Sequence, residues 1–318
     1  MAVGVSGKRL DRADDLRRMQ RLSASVWRRD PSRLNFETSF GTLAWDRGSE
    51  RPTRLFERGD DLCGWARLVP GYRRIRRMGE FDDAPPSLVW QVDLDDPGHD
   101  DVLGSIISWA ESRTDQPLIT SHTEADREAA TLLADRGYVP DATEPFSLYL
   151  QQPLIDHEEP TLEGYSFVTM ADLDDVDARA EVHRRAWDGS TFGSDDMRTV
   201  MSTWPYRPAL DFIAVAADGT LAASAIAWFD PAFGYGEFEP VGTLPEHRGR
   251  GVGSALLRFA LARLETEGAS HAVVGARGDD DYPLARRLYQ SVGFEVVARQ
   301  MIVGQPAAIA PSVPSSDG

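Results

Sequence analysis

Residues 237–254 read Glu-Phe-Glu-Pro-Val-Gly-Thr-Leu-Pro-Glu-His-Arg-Gly-Arg-Gly-Val-Gly-Ser. An apolar strand carrying two carboxylates, Glu237 and Glu239, runs into a turn with glycines at 249, 251 and 253. A long amphipathic helix is expected next, with Ala255, Leu256, Leu257, Phe259, Leu261 and Leu264 as its apolar residues. Glycines in such a turn let backbone N–H groups approach an anion closely. The first N–H groups of the helix, which lack intrahelical acceptors, point at the same place. This is chemistry for a pyrophosphate.

Two other phosphate loops compete with that reading. A Walker loop ends in Gly-Lys-Ser/Thr, and the only lysine of this chain is Lys8. A dinucleotide fingerprint needs G-x-G-x-x-G on an early strand, with several βα units after it. Here Gly249-x-Gly251 is followed by Ser254 in the place of the last glycine, and too little chain remains to complete such a sheet. The plainer alternative is a glycine-rich turn that merely joins strand to helix. Downstream residues argue against it. Ala285-Arg286-Arg287-Leu288-Tyr289-Gln290-Ser291-Val292-Gly293-Phe294 predicts a helix closed by glycine, followed by the apolar strand Glu295–Ile302.

Both segments together resemble the GNAT N-acetyltransferases. The family's cofactor loop reads Arg or Gln, two residues, Gly, one residue, Gly or Ala, matched here by Arg248-Gly249-Arg250-Gly251-Val252-Gly253. Its ending reads A-x-x-L-Y, three residues, then Gly-Phe, matched by Ala285–Phe294. The resemblance implies acetyl-CoA as acyl donor, held by Arg248, Gly249, Arg250, Gly251, Val252, Gly253 and Ser254. It further implies a splayed strand at Val241, Gly242 and Thr243 whose backbone groups bond the pantetheine amides. Tyr289 inherits the role of proton donor to the departing CoA thiolate, with core packing of its ring as the alternative. Tyr282 stands where the family often has Asn, so a side-chain contact from Asn to the pantetheine arm is not expected.

The base is one of two residues. An ammonium substrate must lose a proton before its lone pair can attack a thioester, and a carboxylate beside the cofactor can take it. Glu237 and Glu239 are two apart and so share a strand face. Glu237 stands eleven residues before Arg248, the family position of the glutamate base, whereas Glu239 lies nearer the thioester end. Either carboxylate could instead hold the substrate's cation or sit on a wet strand face. Pro240 removes one ladder donor and is expected to disturb the strand.

A chain of 318 residues with 42% apolar content is long for one compact domain and comfortable for two. No run approaches 18 apolar residues, and the first thirty residues are strongly charged, which predicts neither a membrane span nor a signal peptide. One cysteine, Cys63, excludes an internal disulfide framework and makes a cytoplasmic protein the expectation. The histidines and that cysteine form no metal spacing, so no metal is expected. One lysine among 34 basic residues suggests a GC-rich coding sequence and a bacterial source. The net charge of −17 favours a cationic amine over a nucleic acid or a phosphate as partner. Oligomeric state is left open between monomer and homodimer.

The chain also repeats itself. Ala129–Tyr138 aligns with Ala285–Phe294 at an offset of 156, keeping alanine, leucine, glycine and aromatic in place. Upstream, Leu88–Asp93 reads as a strand and Val102–Ser112 as a helix. The expected fold is therefore α/β, with a mixed sheet in each of two tandem GNAT-like domains. These are a degenerate copy at 1–155 and a catalytic copy at 156–304, with a disordered tail at 305–318. The linker is placed near Gln151–Glu163. Over 163–303 the expected order is β-α-α-β-β-β-α-β-α-β. Two substitutions silence the first copy: Leu133 replaces the tyrosine, and Asp93-Leu94-Asp95-Asp96-Pro97-Gly98-His99-Asp100-Asp101 replaces the glycine loop. Five aspartates would repel a pyrophosphate. The expected work of this copy is to bury its neighbour's surface and shape the substrate cleft.

Other tempting features have plainer readings. Arg73-Arg74-Ile75-Arg76-Arg77 suits a charged hairpin face better than an anion grip. Thr120–Asp126 holds serine, histidine and aspartate, yet Thr123 and Asp126 look like a helix cap rather than part of a hydrolase triad. Trp187, Phe192, Trp204, Tyr206, Trp228 and Phe229 are mostly core, with one or two lining the cleft. The expected activity is acetyl transfer from acetyl-CoA to a primary amine of a small molecule, by direct attack in a ternary complex. Two alternatives stand beside it. One is an acyl-CoA-binding sensor without turnover. The other is acetylation of a thiol-bearing amino-sugar conjugate, as in the mycothiol synthases, tandem family members of similar length.

Overall fold

The computed structural model describes residues 6–9, 13–35, 39–45, 51–77, 80–187 and 189–306. The N-terminal half runs β1 (Ser6–Arg9), α1 (Ala13–Arg29), α2 (Gly41–Trp45), β2 (Thr53–Arg58), β3 (Asp61–Val69), β4 (Tyr72–Arg77), β5 (Glu80–Ala84) and β6 (Ser87–Val92). It continues through α3 (His99–Glu111), β7 (Ile119–Thr123), α4 (Arg127–Asp135), β8 (Val139–Pro140) and β9 (Ser147–Pro153). The C-terminal half opens with β10 (Tyr165–Thr169), α5 (Met170–Leu173), α6 (Val176–Ala186), α7 (Ser194–Met201), β11 (Asp211–Ala216), β12 (Leu221–Phe229) and β13 (Tyr235–Thr243). It closes with α8 (Val252–Thr266), β14 (His271–Arg277), α9 (Leu284–Ser291) and β15 (Glu295–Gly304). The expected order over 163–303 is present, with the short α5 added. The expected tail falls almost wholly at 307–318, outside the described residues.

The elements follow from local chemistry. Along α1, Leu16, Met19, Ser23, Val26 and Trp27 recur at helical spacing and are buried. Asp14 and Asp15 in its first turn and Arg28 and Arg29 in its last complement the helix dipole. Strand β12 has no polar alternation because it is covered on both faces, and eight of its nine residues are buried. Ala217-Asp218-Gly219 makes the turn between β11 and β12, with Gly219 at φ +87°. Arg73–Arg77 lies on β4, which pairs with β5 in a separate two-stranded hairpin.

The two halves do not build two separate sheets. Among the described residues one 13-stranded sheet runs β1-β2-β3-β6-β7-β15-β9-β14-β13-β12-β11-β10, with β8 paired to β15. Each half gives its last strand to the other. Strand β9 pairs antiparallel with β14 from His271↔Pro153 to Arg277↔Ser147. Strand β15 pairs with β7 from Gln300↔Thr123 to Gly304↔Ile119. The exchanged strands also pair with each other, so neither half leaves an unpaired central edge. The cores cross residue 155 accordingly. Leu148, Leu150 and Leu154 pack in the cluster around α8, and Val303 packs among the buried residues of α3 and β6. The first three residues of the expected linker, Gln151 to Pro153, belong to β9. After them the chain is pinned where Glu265 accepts from the Asp156 and His157 N–H groups at 2.9 and 2.8 Å.

Candidate active site

Strands β13 and β14 are parallel neighbours only from Tyr235↔His271 to Phe238↔Val274. Beyond Phe238 they part, and β14 stays with β9 while β13 stays with β12. The register of β13 against β12 slips at this point: Ala225 faces Val241 and Ala227 faces Phe238, so Glu239 and Pro240 together oppose one residue. This is the disturbance expected at Pro240, and a bulge of this kind re-aims the side chains it carries. The opening between the strands is a cavity of about 450 Å³. Glu239, Pro240, Val241, Gly275, Ala276 and Tyr289 line it from the C-terminal half. Ser87, Leu88, Ile119, Thr120 and Ser121 line it from the N-terminal half.

The glycine loop sits where the sequence places it, at the start of α8. Gly249 and Gly251 have φ of +73° and +78°, a backbone that only glycine adopts without strain, and Gly251 is the helix N-cap. A Cβ built on either meets nothing within 4 Å, so their backbone faces open space. At Gly253 a Cβ would stand 3.1 Å from Thr243 Oγ1 and 3.5 Å from Leu288, between the end of β13 and α9. Arg250 is exposed beside the helix start. These features form a cradle that fits the pyrophosphate of acetyl-CoA. Arg248 is used otherwise: it donates from Nε to Thr243 O (3.0 Å) and from a guanidinium NH2 to Ala186 O (2.8 Å), fixing the loop to β13 and α6. A Cβ on Gly242 would lie 2.5 Å from Trp187 Cζ3, so the strand and that ring pack as closely as glycine allows.

Glu237 and Glu239 do share a face, and the structure separates their surroundings. Glu237 is 0% exposed. Its carboxylate accepts from three successive N–H groups at the start of α2: Ser39 (2.6 Å), Phe40 (2.9 and 3.0 Å) and Gly41 (2.5 Å). A carboxylate so bonded and sealed from solvent has no room to accept a proton from a substrate amine. Glu239 is half-buried and lines the cavity. Trp228 Nε1 donates to its carbonyl at 2.5 Å. The glutamate at the eleven-residue spacing to Arg248 is thus the one whose carboxylate the N-terminal half holds.

Tyr289 is only 6% exposed, with its ring edge-on to Phe294 at 5.9 Å, and it lines the same cavity as Glu239. Burial, and then the negative charge of Glu239, push its hydroxyl pKa well above 10. Packing and cavity lining are therefore combined in one residue. The phenol stays protonated and can donate a hydrogen bond.

In the N-terminal half the corresponding slot is filled by the chain itself. Strands β6 and β7 pair only at Ser87↔Ile119 and Leu88↔Thr120. Past that point Asn35 stands between them, its N–H donating to Gln91 Oε1 (2.9 Å) and its Oδ1 accepting from the Thr123 N–H (3.0 Å). Asn35 Nδ2 donates to Asp126 Oδ2 at 3.2 Å, and all four residues are buried. At the start of α3, Asp96 accepts from the Gly98 N–H (2.7 Å) and from Arg58 (2.7 Å). Among the described residues the start of α3 carries no positive-φ glycine.

The remaining features resolve simply. Asp126 caps α4 by accepting from the Ala129 N–H at 3.1 Å, and Thr123 is bonded to Ser32 O, so the serine, histidine and aspartate of 120–126 form no triad. His99, Asp100 and Glu128 come within 4.8 Å of one another, but Glu128 is already shared by Arg33 (2.8 Å) and His99 (3.2 Å). Trp187 lines the cavity, whereas Trp228 and Phe229 are core. No described helix is long and apolar enough to cross a membrane.

Residues 179–294 match the model of the acetyltransferase (GNAT) family. This stretch is a GNAT domain. It spans α6 through Phe294 and contains the glycine loop, both strand glutamates and Tyr289. Among solved structures the whole chain is similar to a GCN5-related N-acetyltransferase from Sphaerobacter thermophilus, with TM-score 0.58 and 18% identity over 94% of this chain and 95% of that one. It is similar to a tandem GNAT protein from the clavulanic acid biosynthesis pathway (TM-score 0.59, 16% identity, 95% and 98% covered). A GNAT-family acetyltransferase from Colwellia psychrerythraea gives TM-score 0.56 at 14% identity, with 94% and 99% covered. At such identities the likeness is one of fold, and it extends over both GNAT-like halves. No curated protein matches the sequence.

Proposed function

We propose that this protein transfers the acetyl group of acetyl-CoA to a primary amine of a small molecule, by direct attack in a ternary complex. The observation that carries the reading is that Glu239 and Tyr289 open into one cavity at the parting of β13 and β14, next to the glycine cradle of α8. Acetyl-CoA supplies the activated acyl group. The 249–254 backbone holds its pyrophosphate, and the edge of β13 over Val241–Thr243, unpaired with β14, serves the pantetheine amides. Glu239 accepts the proton of the ammonium, directly or through water. Tyr289 donates toward the sulfur as negative charge develops there. One group is charged and the other neutral in the same cavity, which is the division of labour an acid–base pair needs.

The far wall indicates the acceptor. Ser87, Leu88, Ile119, Thr120, Ser121 and Ile302 bear no charge, and Glu144 adds one carboxylate to the lining. Arg277, also on the lining, is held by Asp279 at 2.5 and 3.0 Å. The wall suits an amine with a small uncharged body that carries hydroxyl or apolar groups. A phosphorylated amine would meet the Glu144 and Glu239 carboxylates there. Thiol release from acetyl-CoA, measured against a panel of amines, tests this directly. Neutral-bodied monoamines are expected to stimulate release well above the rate without amine, and above amino-sugar phosphates. Binding of acetyl-CoA with no stimulation by any amine would replace this reading with that of a sensor.

A further inference from the structure

We propose that α2, a five-residue helix of the N-terminal half, is a positioning element for Glu239 in the other half, and that Glu237 is the latch holding it. The inference rests on the reading of Glu239 as the amine-facing carboxylate, and it gives the half without a cofactor site a part in the reaction.

The helix is fixed at its start by the Glu237 carboxylate, which accepts from the N–H groups of Ser39, Phe40 and Gly41 across about 200 residues of sequence. Three charge-assisted bonds to one sealed carboxylate leave little rotational freedom to either partner. Gln20 of α1 adds a bond from Nε2 to Phe40 O at 2.9 Å. With the helix start so held, Gly41 lies directly on Glu239. A Cβ at Gly41 would fall on the Glu239 Cβ, 2.7 Å from its Cγ and 2.9 Å from Trp228 Nε1. Trp228 in turn holds the Glu239 carbonyl. The side chain of Glu239 therefore leaves a backbone held by Trp228 and meets the α2 backbone at its root.

The far end of α2 reaches the cofactor strand by a second route. Trp45 stacks on His183 at 4.6 Å and 15°, and His183 stacks on Trp187 at 4.3 Å and 26°. Trp187 lies against Gly242 and lines the cavity. Burial, and then the Arg179 charge, push the His183 pKa down to about 3, so the imidazole in this stack stays neutral at neutral pH. One short helix thus touches both the carboxylate and the strand that faces pantetheine. Each strand glutamate has its own part: Glu237 seats the helix, and the helix seats Glu239.

Two variants of the full-length protein test the idea, with acetyl-CoA affinity by calorimetry and thiol release with the best amine of the panel. Gly41→Ala adds one carbon where Glu239 stands. It is expected to lower kcat/KM for the amine about 10²-fold, the scale of a misplacement near 1 Å, with acetyl-CoA Kd within twofold of the parent. Trp45→Leu adds no bulk and loosens the opposite end. It is expected to lower kcat about tenfold and to raise the pH at which the His183 ring titrates by NMR. Parental kcat/KM in a folded Gly41→Ala protein overturns the proposal, and so does a loss matched by an equal loss of acetyl-CoA affinity. If Gly41→Ala does not fold, parental kcat in Trp45→Leu overturns it. Glu239→Gln separates the two claims. Should it be inactive while Gly41→Ala and Trp45→Leu are normal, positioning fails and the Glu239 reading stands; should it be fully active, both fall.

Discussion

Gly251→Asp is expected to abolish acetyl-CoA binding while leaving the fold in place. The residue is the N-cap of α8 at φ +78°, so any side chain there adds strain of order 1 kcal/mol. That alone would be survivable. The larger effect is electrostatic, because a carboxylate at the helix N-terminus occupies the place of the pyrophosphate and repels it. Calorimetry should show one site per chain for the parent and no measurable heat for the variant. Gly251→Ala, which adds the strain without the charge, should bind with intermediate affinity. Two sites per chain in the parent would contradict the closed slot between β6 and β7, where Asn35 bonds to both Gln91 and Thr123.

Tyr289→Phe should keep the fold and the acetyl-CoA affinity and lose about 10²-fold in kcat, the lower end of what a positioned acid contributes. The lower end is expected for a stated reason. With its pKa raised above 10 by burial and by Glu239, the phenol is a weaker acid than an ordinary thiol near 8.5, so full transfer of its proton to sulfur is uphill. What it gives is a hydrogen bond to the developing charge, in a buried site where such a bond is strong. The ring keeps its edge-on contact with Phe294, so thermal stability should change little. Thiol release under saturating substrates measures the effect. An unchanged kcat with chemistry rate-limiting would leave Tyr289 as a packing residue.

The parts of the site that were legible in the sequence are those encoded over short distances. Positive-φ glycines, an N-cap and an apolar helix face all lie within 249–264, and local backbone chemistry dictates them. Tyr289 was reached through the resemblance of Ala285–Phe294 to the family's ending, and it lines the cavity. Leu133 and the aspartates of 93–101 were visible in the sequence as departures from the second half, but the Asn35 plug was not, since nothing near residue 35 marks it as the partner of Thr123. The exchange of β9 and β15 was equally hidden. Both are apolar strands, and apolar character says that a strand is buried without saying which neighbour it pairs with. The base stayed open between Glu237 and Glu239 for the same reason. Strand alternation puts them on one face, and what distinguishes them is a helix start some 200 residues away.

The most direct test of the account is the pH profile of kcat/KM for the parent, Glu239→Gln and Glu237→Gln. A base must be ionised, so activity in the parent falls as pH drops through its pKa. Glu239→Gln should lower kcat/KM and remove that acidic limb, because the amide accepts no proton. Glu237→Gln should keep the limb, with kcat/KM lowered through the loosened α2, and lose about 2–3 kcal/mol of stability, since its amide presents N–H groups to the donors of Ser39, Phe40 and Gly41. The opposite pair of results, with the limb lost in Glu237→Gln and kept in Glu239→Gln, would contradict the assignment of the two glutamates.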